Sequence, residues 1–138
     1  MSHEPKTVRR QLLAAGYLAS FTALLHLIGG TIEIHQPLMT SQLTEFLRLL
    51  LLACWHLVSV ALLVSGPALL WCARPARQAS AGALALFIGA MWLGFGAVFV
   101  AVDLVYQGMA GLALLPQWTL LLPVGALATL GGRRLLGG

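Results

Sequence analysis

Four long apolar segments constrain this chain more than any other feature. Residues 11–30, 44–72, 80–106 and 117–132 are almost entirely apolar, and short polar or glycine-containing stretches separate them. A helix of about 20 apolar residues rises about 30 Å, which matches the hydrocarbon core of a bilayer. We therefore predict an all-α integral membrane protein, a four-helix bundle in which each segment is one span.

The composition agrees with a membrane protein and disfavours nucleic-acid binding. Of the 138 residues, 59% are hydrophobic and only 9% are charged, whereas about a quarter of the residues in an average soluble domain are charged. The net charge of +4 could indicate nucleic acid in a soluble protein. Here the basic residues adjoin the apolar segments, so they indicate membrane topology, and the lipid bilayer is the expected surrounding.

The basic residues also predict the orientation. Seven of the eight Lys and Arg residues flank the segments on one side of a four-span topology: Lys6, Arg9, Arg10, Arg74, Arg77, Arg133 and Arg134. An excess of basic residues marks the cytoplasmic side. We predict a cytoplasmic leader (1–10), one transmembrane domain (11–132) and a cytoplasmic tail (133–138). Because no small-residue cleavage site follows the first segment, we expect that segment to remain as a span.

Small residues predict how the spans pack, because they let helix backbones approach closely in lipid. Two stripes are present: Ala15, Ala19 and Ala23 in the first segment, and Gly82, Gly89 and Gly96 in the third. Asp103 continues the glycine stripe at the same seven-residue spacing. We therefore expect Asp103 to point into the bundle and not at lipid.

Ionisable side chains in or beside the apolar segments are the candidate functional residues, because charge inside a membrane is costly to insert. They are His26, His35, Arg48, His56 and Asp103. The rise of about 1.5 Å per helical residue places His26, Arg48, His56 and Asp103 in the extracytoplasmic half, with His56 nearest the midplane. We expect residues 31–43 to form a loop on the same side, in which His35 caps the group.

These residue types are compatible with ligand binding. Imidazole and carboxylate groups suit zinc, copper or iron, so His26, His35, His56 and Asp103 are candidate metal ligands. No H-x-x-x-H or E-x-x-H spacing occurs, so such ligands would have to converge from separate helices. His26 and His56 are candidate haem ligands, although their different depths oppose a simple bis-histidine site. The histidines with Asp103 are also candidates for a proton or small-ligand pathway.

A structural role is the alternative for the same residues. Arg48 and Asp103 lie at similar depth and are expected to form an intramembrane ion pair. The hydroxyls of Thr22 and Ser59 are close in sequence to His26 and His56, respectively, and such contacts pin helices together. We favour a structural or interaction (accessory) membrane protein, working as a homo-oligomer or within a larger membrane complex. No nucleophile motif or phosphate loop is present, so an enzyme is disfavoured.

Several local patterns resemble those of a known group. They are a histidine near the end of the first segment, a proline-containing loop, Trp55-His56 in the second segment, and Pro116-Gln117-Trp118 opening the fourth. Together they resemble small uncharacterised four-span bacterial inner-membrane proteins over nearly the whole chain. The resemblance implies a bacterial inner-membrane location and carries no activity and no catalytic residue.

Overall fold

The computed structural model describes residues 4–74 and 78–137. Its long helices are α1 (Glu4–Gly30), α3 (Glu45–Cys72), α4 (Gln78–Gln107) and α5 (Trp118–Gly137). A π-helical turn (Thr31–His35) and the short helix α2 (Gln36–Met39) extend α1, and a 3₁₀ segment (Gly108–Ala113) follows α4. The described residues contain no strand. The prediction of an all-α chain with four long helices is confirmed.

Three of the helical segments are long and apolar enough to cross a membrane, within the part of the chain that the structure describes. They are Lys6–Met39, Glu45–Cys72 and Ser80–Ala113. The predicted fourth span also forms a helix, α5, but it is not one of these three. Arg133 and Arg134 in its last turns lower its mean hydropathy.

The helix ends differ from the sequence-based boundaries. Thr44 caps α3, and its hydroxyl accepts a hydrogen bond from the Leu47 N–H at 3.4 Å. The predicted loop at 31–43 is instead helical as far as Met39, because Pro37 occupies the first turn of α2, where a missing N–H is tolerated. The predicted leader and tail are also largely helical, since α1 begins at Glu4 and α5 extends to Gly137. Residues 1–3, Arg77 and residue 138 lie outside the described residues.

The four long helices form a ring in the order α1, α3, α4, α5. The α4–α5 contact is the most extensive, α1–α3 and α1–α5 are intermediate, and α3–α4 is the least extensive. Paired residues show that α1–α3 and α4–α5 are antiparallel: Gly16 with Leu70, Gly30 with Trp55, Gly82 with Leu136, and Gly96 with Leu122.

Burial divides the bundle into two halves. The terminal half contains both chain ends, and the connector half contains the stretches that join α1 to α3 and α4 to α5. The apolar core lies mainly in the terminal half, where Leu12, Leu69 and Ala85 are almost fully buried. In the connector half, residues 45–58 include no buried residue, and between 97 and 107 only Asp103 is buried. Polar side chains are therefore concentrated where the bundle is most open.

Candidate functional site

Three histidines surround Trp55 in the connector half. The His26 ring stacks on the indole with centroids 4.9 Å apart and planes inclined by 22°. The His35 ring stacks at 6.0 Å and 25°, and the His56 ring meets it edge-on at 4.9 Å and 73°. We call these four residues the histidine–tryptophan cluster. The structure thus brings the three predicted histidines to one indole, a centre that the sequence did not reveal.

Local backbone features shape this cluster. The Gln36 N–H donates to the carbonyl of Thr31, five residues earlier, which marks the π-helical turn that carries His35. Gly30 faces the indole, and a Cβ there would lie 3.1 Å from Trp55 Nε1. A glycine at this position therefore lets the indole lie close to the α1 backbone.

One hydrogen bond links the cluster across α1 and α3. His26 Nε2 lies 3.0 Å from Ser59 Oγ, and Ser59 Oγ donates to the Trp55 carbonyl at 2.9 Å. Ser59 Oγ therefore lies between the His26 ring and the Trp55 carbonyl, and the direction of its hydrogen bond with His26 Nε2 follows from the histidine tautomer. The expected hydroxyl partners are therefore reassigned: Ser59 bonds His26 and not His56, while Thr22 donates to the Leu18 carbonyl of its own helix at 2.8 Å.

The predicted metal-ligand set is not assembled. Among the described residues, no group of three or more His, Cys, Asp or Glu side chains is placed to hold a metal ion. Each of the three histidine rings contacts the Trp55 indole, and Asp103 lies on α4 beside the 3₁₀ segment. The described structure thus shows an aromatic cluster and a separate buried carboxylate, and metal binding by His26, His35, His56 and Asp103 stays a prediction.

Asp103 is buried, with 1% of its surface exposed. Neither of its carboxylate oxygens has a hydrogen-bond partner among the described residues. The 3₁₀ segment packs against the Asp103 backbone, since a Cβ at Gly111 would lie 2.8 Å from the Asp103 carbonyl oxygen. Asp103 thus points into the bundle, as its place on the glycine stripe predicts.

The expected ion pair between Arg48 and Asp103 is not formed in the described structure. Both carboxylate oxygens of Asp103 and Nε of Arg48 are buried without a partner. Arg48 lies seven residues before Trp55, on the face of α3 that packs against α1. Asp103 instead continues the face of α4 that packs against α5. The two residues match in depth but point to different neighbours.

Gln117 is a further functional candidate. In the sequence it was named only as part of the Pro116-Gln117-Trp118 pattern and not as a site residue. Its Oε1 is buried and has no partner among the described residues. It stands one turn before Leu121, whose N–H donates to the Gln117 carbonyl at 3.1 Å. Next to it, Trp118 Nε1 donates to the Leu112 carbonyl at 3.0 Å and fixes the connector to the start of α5. The sequence signal that could have identified Gln117 is a polar amide side chain at the start of an apolar segment.

The glycine stripe of α4 packs against α5 within the same chain. A Cβ at Gly82 would lie 2.7 Å from Leu136 Cγ, and one at Gly89 would lie 2.7 Å from the Thr129 backbone nitrogen. A Cβ at Gly96 would lie 2.8 Å from Leu122 Cγ. The three glycines therefore set the close approach that places Asp103 and Gln117 at one seam.

No protein-family model, curated protein or solved structure matches this chain.

Proposed function

We propose that this chain is a bacterial inner-membrane protein with four transmembrane helices and both termini in the cytoplasm. We further propose that it acts as an interaction (accessory) subunit, through the exposed face of α3 that includes His56 and Val60. The first proposal rests on the packing of α5 and on the distribution of basic residues. The interaction proposal rests on His56, a polar residue that is exposed within the apolar helix α3.

The packing of α5 supports a fourth span despite its lower hydropathy. A Cβ at Gly89 would lie 3.0 Å from the Gly125 carbonyl oxygen, and a Cβ at Gly132 would lie 2.8 Å from the Gly82 carbonyl oxygen. A helix this close to α4 along its length shares its depth in the bilayer. Arg133 then falls at the same end of the bundle as the basic start of α1, which is the cytoplasmic end by the positive-inside rule.

Reporter fusions test this topology. We expect fusions after Gly138 and after Gln78 to be active as green fluorescent protein and inactive as alkaline phosphatase, because both positions are cytoplasmic. A fusion in the connector at Gly108 is the matched control and should behave in the opposite way. A periplasmic signal from Gly138 would contradict the four-span topology without bearing on the interaction proposal.

The exposure of α3 carries the interaction proposal. Only 11% of the 18-residue apolar stretch of α3 is buried inside the protein. The corresponding stretches of Lys6–Met39 and Ser80–Ala113 are 33% and 28% buried. The exposed part includes His56 and Cys54. His56 stands 11 residues into α3, about 16 Å along its axis, and therefore deep in the span. A histidine facing lipid at this depth is costly, so a partner that covers it would stabilise the arrangement.

A groove between α3 and α4 continues the same surface. It has a volume of about 290 Å³ and is lined by apolar side chains and one serine, including Val60, Val64, Leu84, Phe87 and Met91. His56, Val60 and Val64 are four residues apart and form one ridge of α3. The expected partner is therefore an apolar transmembrane helix that fills the groove and presents a hydrogen-bonding group to His56.

Photocrosslinking in intact membranes tests the interaction. A crosslinking amino acid at Val60 should give a discrete protein adduct, and His56→Leu should abolish it. An adduct at twice the mass of 14.7 kDa would identify a second copy of the chain as the partner. Tyr17, which is exposed on α1, is the matched control position and should give only lipid adducts. Equal adducts at both positions, or an adduct that His56→Leu leaves unchanged, would contradict the proposal.

A second candidate function is proton or small-ligand handling by the histidine–tryptophan cluster. It is favoured by three imidazoles around one indole whose Nε1 is buried without an acceptor among the described residues. Proton uptake by vesicles containing the protein, under an imposed membrane potential, measures this activity. His26→Phe keeps a stacking ring and removes the nitrogen atoms, so it should abolish uptake. Wild-type vesicles no more permeable than empty ones would exclude proton conduction.

A further inference from the structure

Three buried oxygen atoms without a donor are present at the connector end of the α4–α5 seam. They are both carboxylate oxygens of Asp103 and Oε1 of Gln117, and none has a hydrogen-bond partner among the described residues. Carboxylate and amide oxygens are acceptors. Buried polar atoms in folded proteins are nearly always paired, so a set of unpaired acceptors calls for a bound donor or cation.

The packing register places these oxygens at one seam. Gly96 packs against Leu121 and Leu122. Asp103 lies two turns beyond Gly96 on the same face of α4, and Gln117 lies one turn before Leu121 at the start of α5. Both side chains thus extend the seam toward the connector, about one helical turn apart in height.

The 3₁₀ segment closes the end of this seam. Gly111 is buried and lies against the Asp103 backbone. The hydrogen bond from Trp118 Nε1 to the Leu112 carbonyl holds the segment against α5. The three oxygens are therefore shielded from the surface at the connector end of the seam.

We propose that the Asp103–Gln117 group binds a monovalent cation such as Na⁺. Hard cations prefer oxygen ligands. One positive charge neutralises the single carboxylate, whereas a divalent ion would leave a net charge in a low-dielectric region. Asp103 also stands in the last turn of α4, where the helix dipole is negative and favours a cation.

Among the described residues, no cationic side chain pairs with the Asp103 carboxylate. Arg48 lies at similar depth but faces α1, and it forms no ion pair with Asp103 in the described structure. Asp103 belongs to no group of three or more His, Cys, Asp or Glu side chains among the described residues, so the donor set does not suit a transition metal. The proposed ion site is independent of the α3 surface proposed for a partner.

Thermal unfolding of the full-length protein in detergent tests the proposal. The protein is transferred from choline chloride to NaCl at constant ionic strength and pH. We expect the Tm to rise saturably with Na⁺, because an ion that binds only the folded state stabilises it. Asp103→Asn should abolish the rise, and Gln117→Leu should raise the half-saturating Na⁺ concentration about tenfold or more. Glu33→Gln removes an exposed carboxylate and should leave the response unchanged.

Binding of radioactive ²²Na⁺ to the wild-type and Gln117→Leu proteins gives a second readout if Asp103→Asn does not fold. Saturable binding that Gln117→Leu weakens supports the site. Equal Tm values in choline chloride and NaCl would overturn it. So would a sodium response that persists in Asp103→Asn, or stabilisation by acid with no response to Na⁺, since a proton would then fill the site.

Discussion

The α4–α5 pair packs backbone against backbone, whereas the α1–α3 pair packs largely through side chains. Between α4 and α5, Gly89 and Gly125 face each other, and a Cβ on either would lie 3.0 Å from the other's carbonyl oxygen. Between α1 and α3, the backbone atoms nearest to a Cβ at Gly16 and Gly66 would be 3.0 and 3.1 Å away, against 2.7 Å for Gly89 and Gly125 in the α4–α5 pair. The polar groups of the two pairs also differ. His26 of α1 is hydrogen-bonded to Ser59 of α3, whereas the Asp103 carboxylate of α4 has no hydrogen-bond partner among the described residues.

This difference shows two solutions to one physical problem. Apolar burial contributes little to association between helices in lipid, so close packing and polar contacts hold them together. The α4–α5 pair relies on close packing, and the Asp103 carboxylate and Gln117 Oε1 have no hydrogen-bond partner among the described residues. The α1–α3 pair uses a cross-helix hydrogen bond and ring stacking. The same kind of substitution should therefore affect the two pairs to different degrees.

Gly89→Ala should have the largest effect. Its Cβ would lie 2.7 Å from the Thr129 backbone nitrogen, and a backbone atom cannot move without shifting α5. We expect a loss of about 3 kcal/mol in the free energy of unfolding, the upper part of the range for overpacking. Unfolding in mixed detergent micelles measures it.

Gly94→Ala on the same helix is the control for Gly89→Ala. Nothing lies within 4 Å of a Cβ at position 94, so we expect no loss and a gain of up to about 1 kcal/mol from helix propensity. Equal destabilisation by the two substitutions would mean that the α4–α5 contact is not as close as described.

Gly66→Ala should have an intermediate effect in the α1–α3 pair. The nearest obstacle is the Ser20 hydroxyl, and the Ser20 backbone nitrogen is 3.1 Å away. The hydroxyl can rotate by giving up its hydrogen bond to the Gly16 carbonyl. We expect a loss of about 1–2 kcal/mol, measured by the same unfolding assay.

Ser20→Ala should recover part of the Gly66→Ala loss, because it removes the obstructing hydroxyl. Gly29→Ala, where nothing lies within 4 Å, is the control on α1. Gly66→Ala could instead lower the free energy of unfolding as much as Gly89→Ala does, with no recovery by Ser20→Ala. That result would contradict the proposed difference in packing between the two helix pairs.

Ser59→Ala should have the smallest effect. It removes the hydrogen bond between His26 and α3, and such bonds between membrane helices contribute about 0.6 kcal/mol on average. The unfolding assay measures the loss. Ser65→Ala is the matched control, because Ser65 donates to the Ala61 carbonyl of its own helix at 2.6 Å. Equal losses would show that the His26 contact does not link the helices.

The sequence predicts the height of a side chain along its helix well, but it predicts poorly which neighbouring helix that side chain faces. Helical rise alone places Arg48 and Asp103 at similar heights, and seven-residue spacing alone places Asp103 with the glycines. Which helix a face meets depends on the order of helices around the ring, and no spacing within one segment reveals that order. This is why the Arg48–Asp103 ion pair was expected and is not found in the described structure.

The histidine–tryptophan cluster shows a second limit. His26 and His56 could be placed by counting residues along regular helices. His35 was assigned to a loop, because a proline two residues later usually marks a break. The chain remains helical through this point by changing its hydrogen-bonding pattern, and one glycine opposite the indole makes room for the ring. Both features depend on contacts between helices.

The π-helical turn at Thr31–His35 amounts to a one-residue insertion within a continuous helix. In an unbroken α-helix, the positions two turns beyond His26 would be Glu33 and Ile34, and a carboxylate or an aliphatic chain would lie nearest the indole. The extra residue shifts every following side chain around the helix axis by one position, so the imidazole of His35 lies nearest the indole instead. Deleting Ile32 would therefore restore regular α-helical phase and still leave His35 over Trp55, so length variation at this point is compatible with the same ring stack.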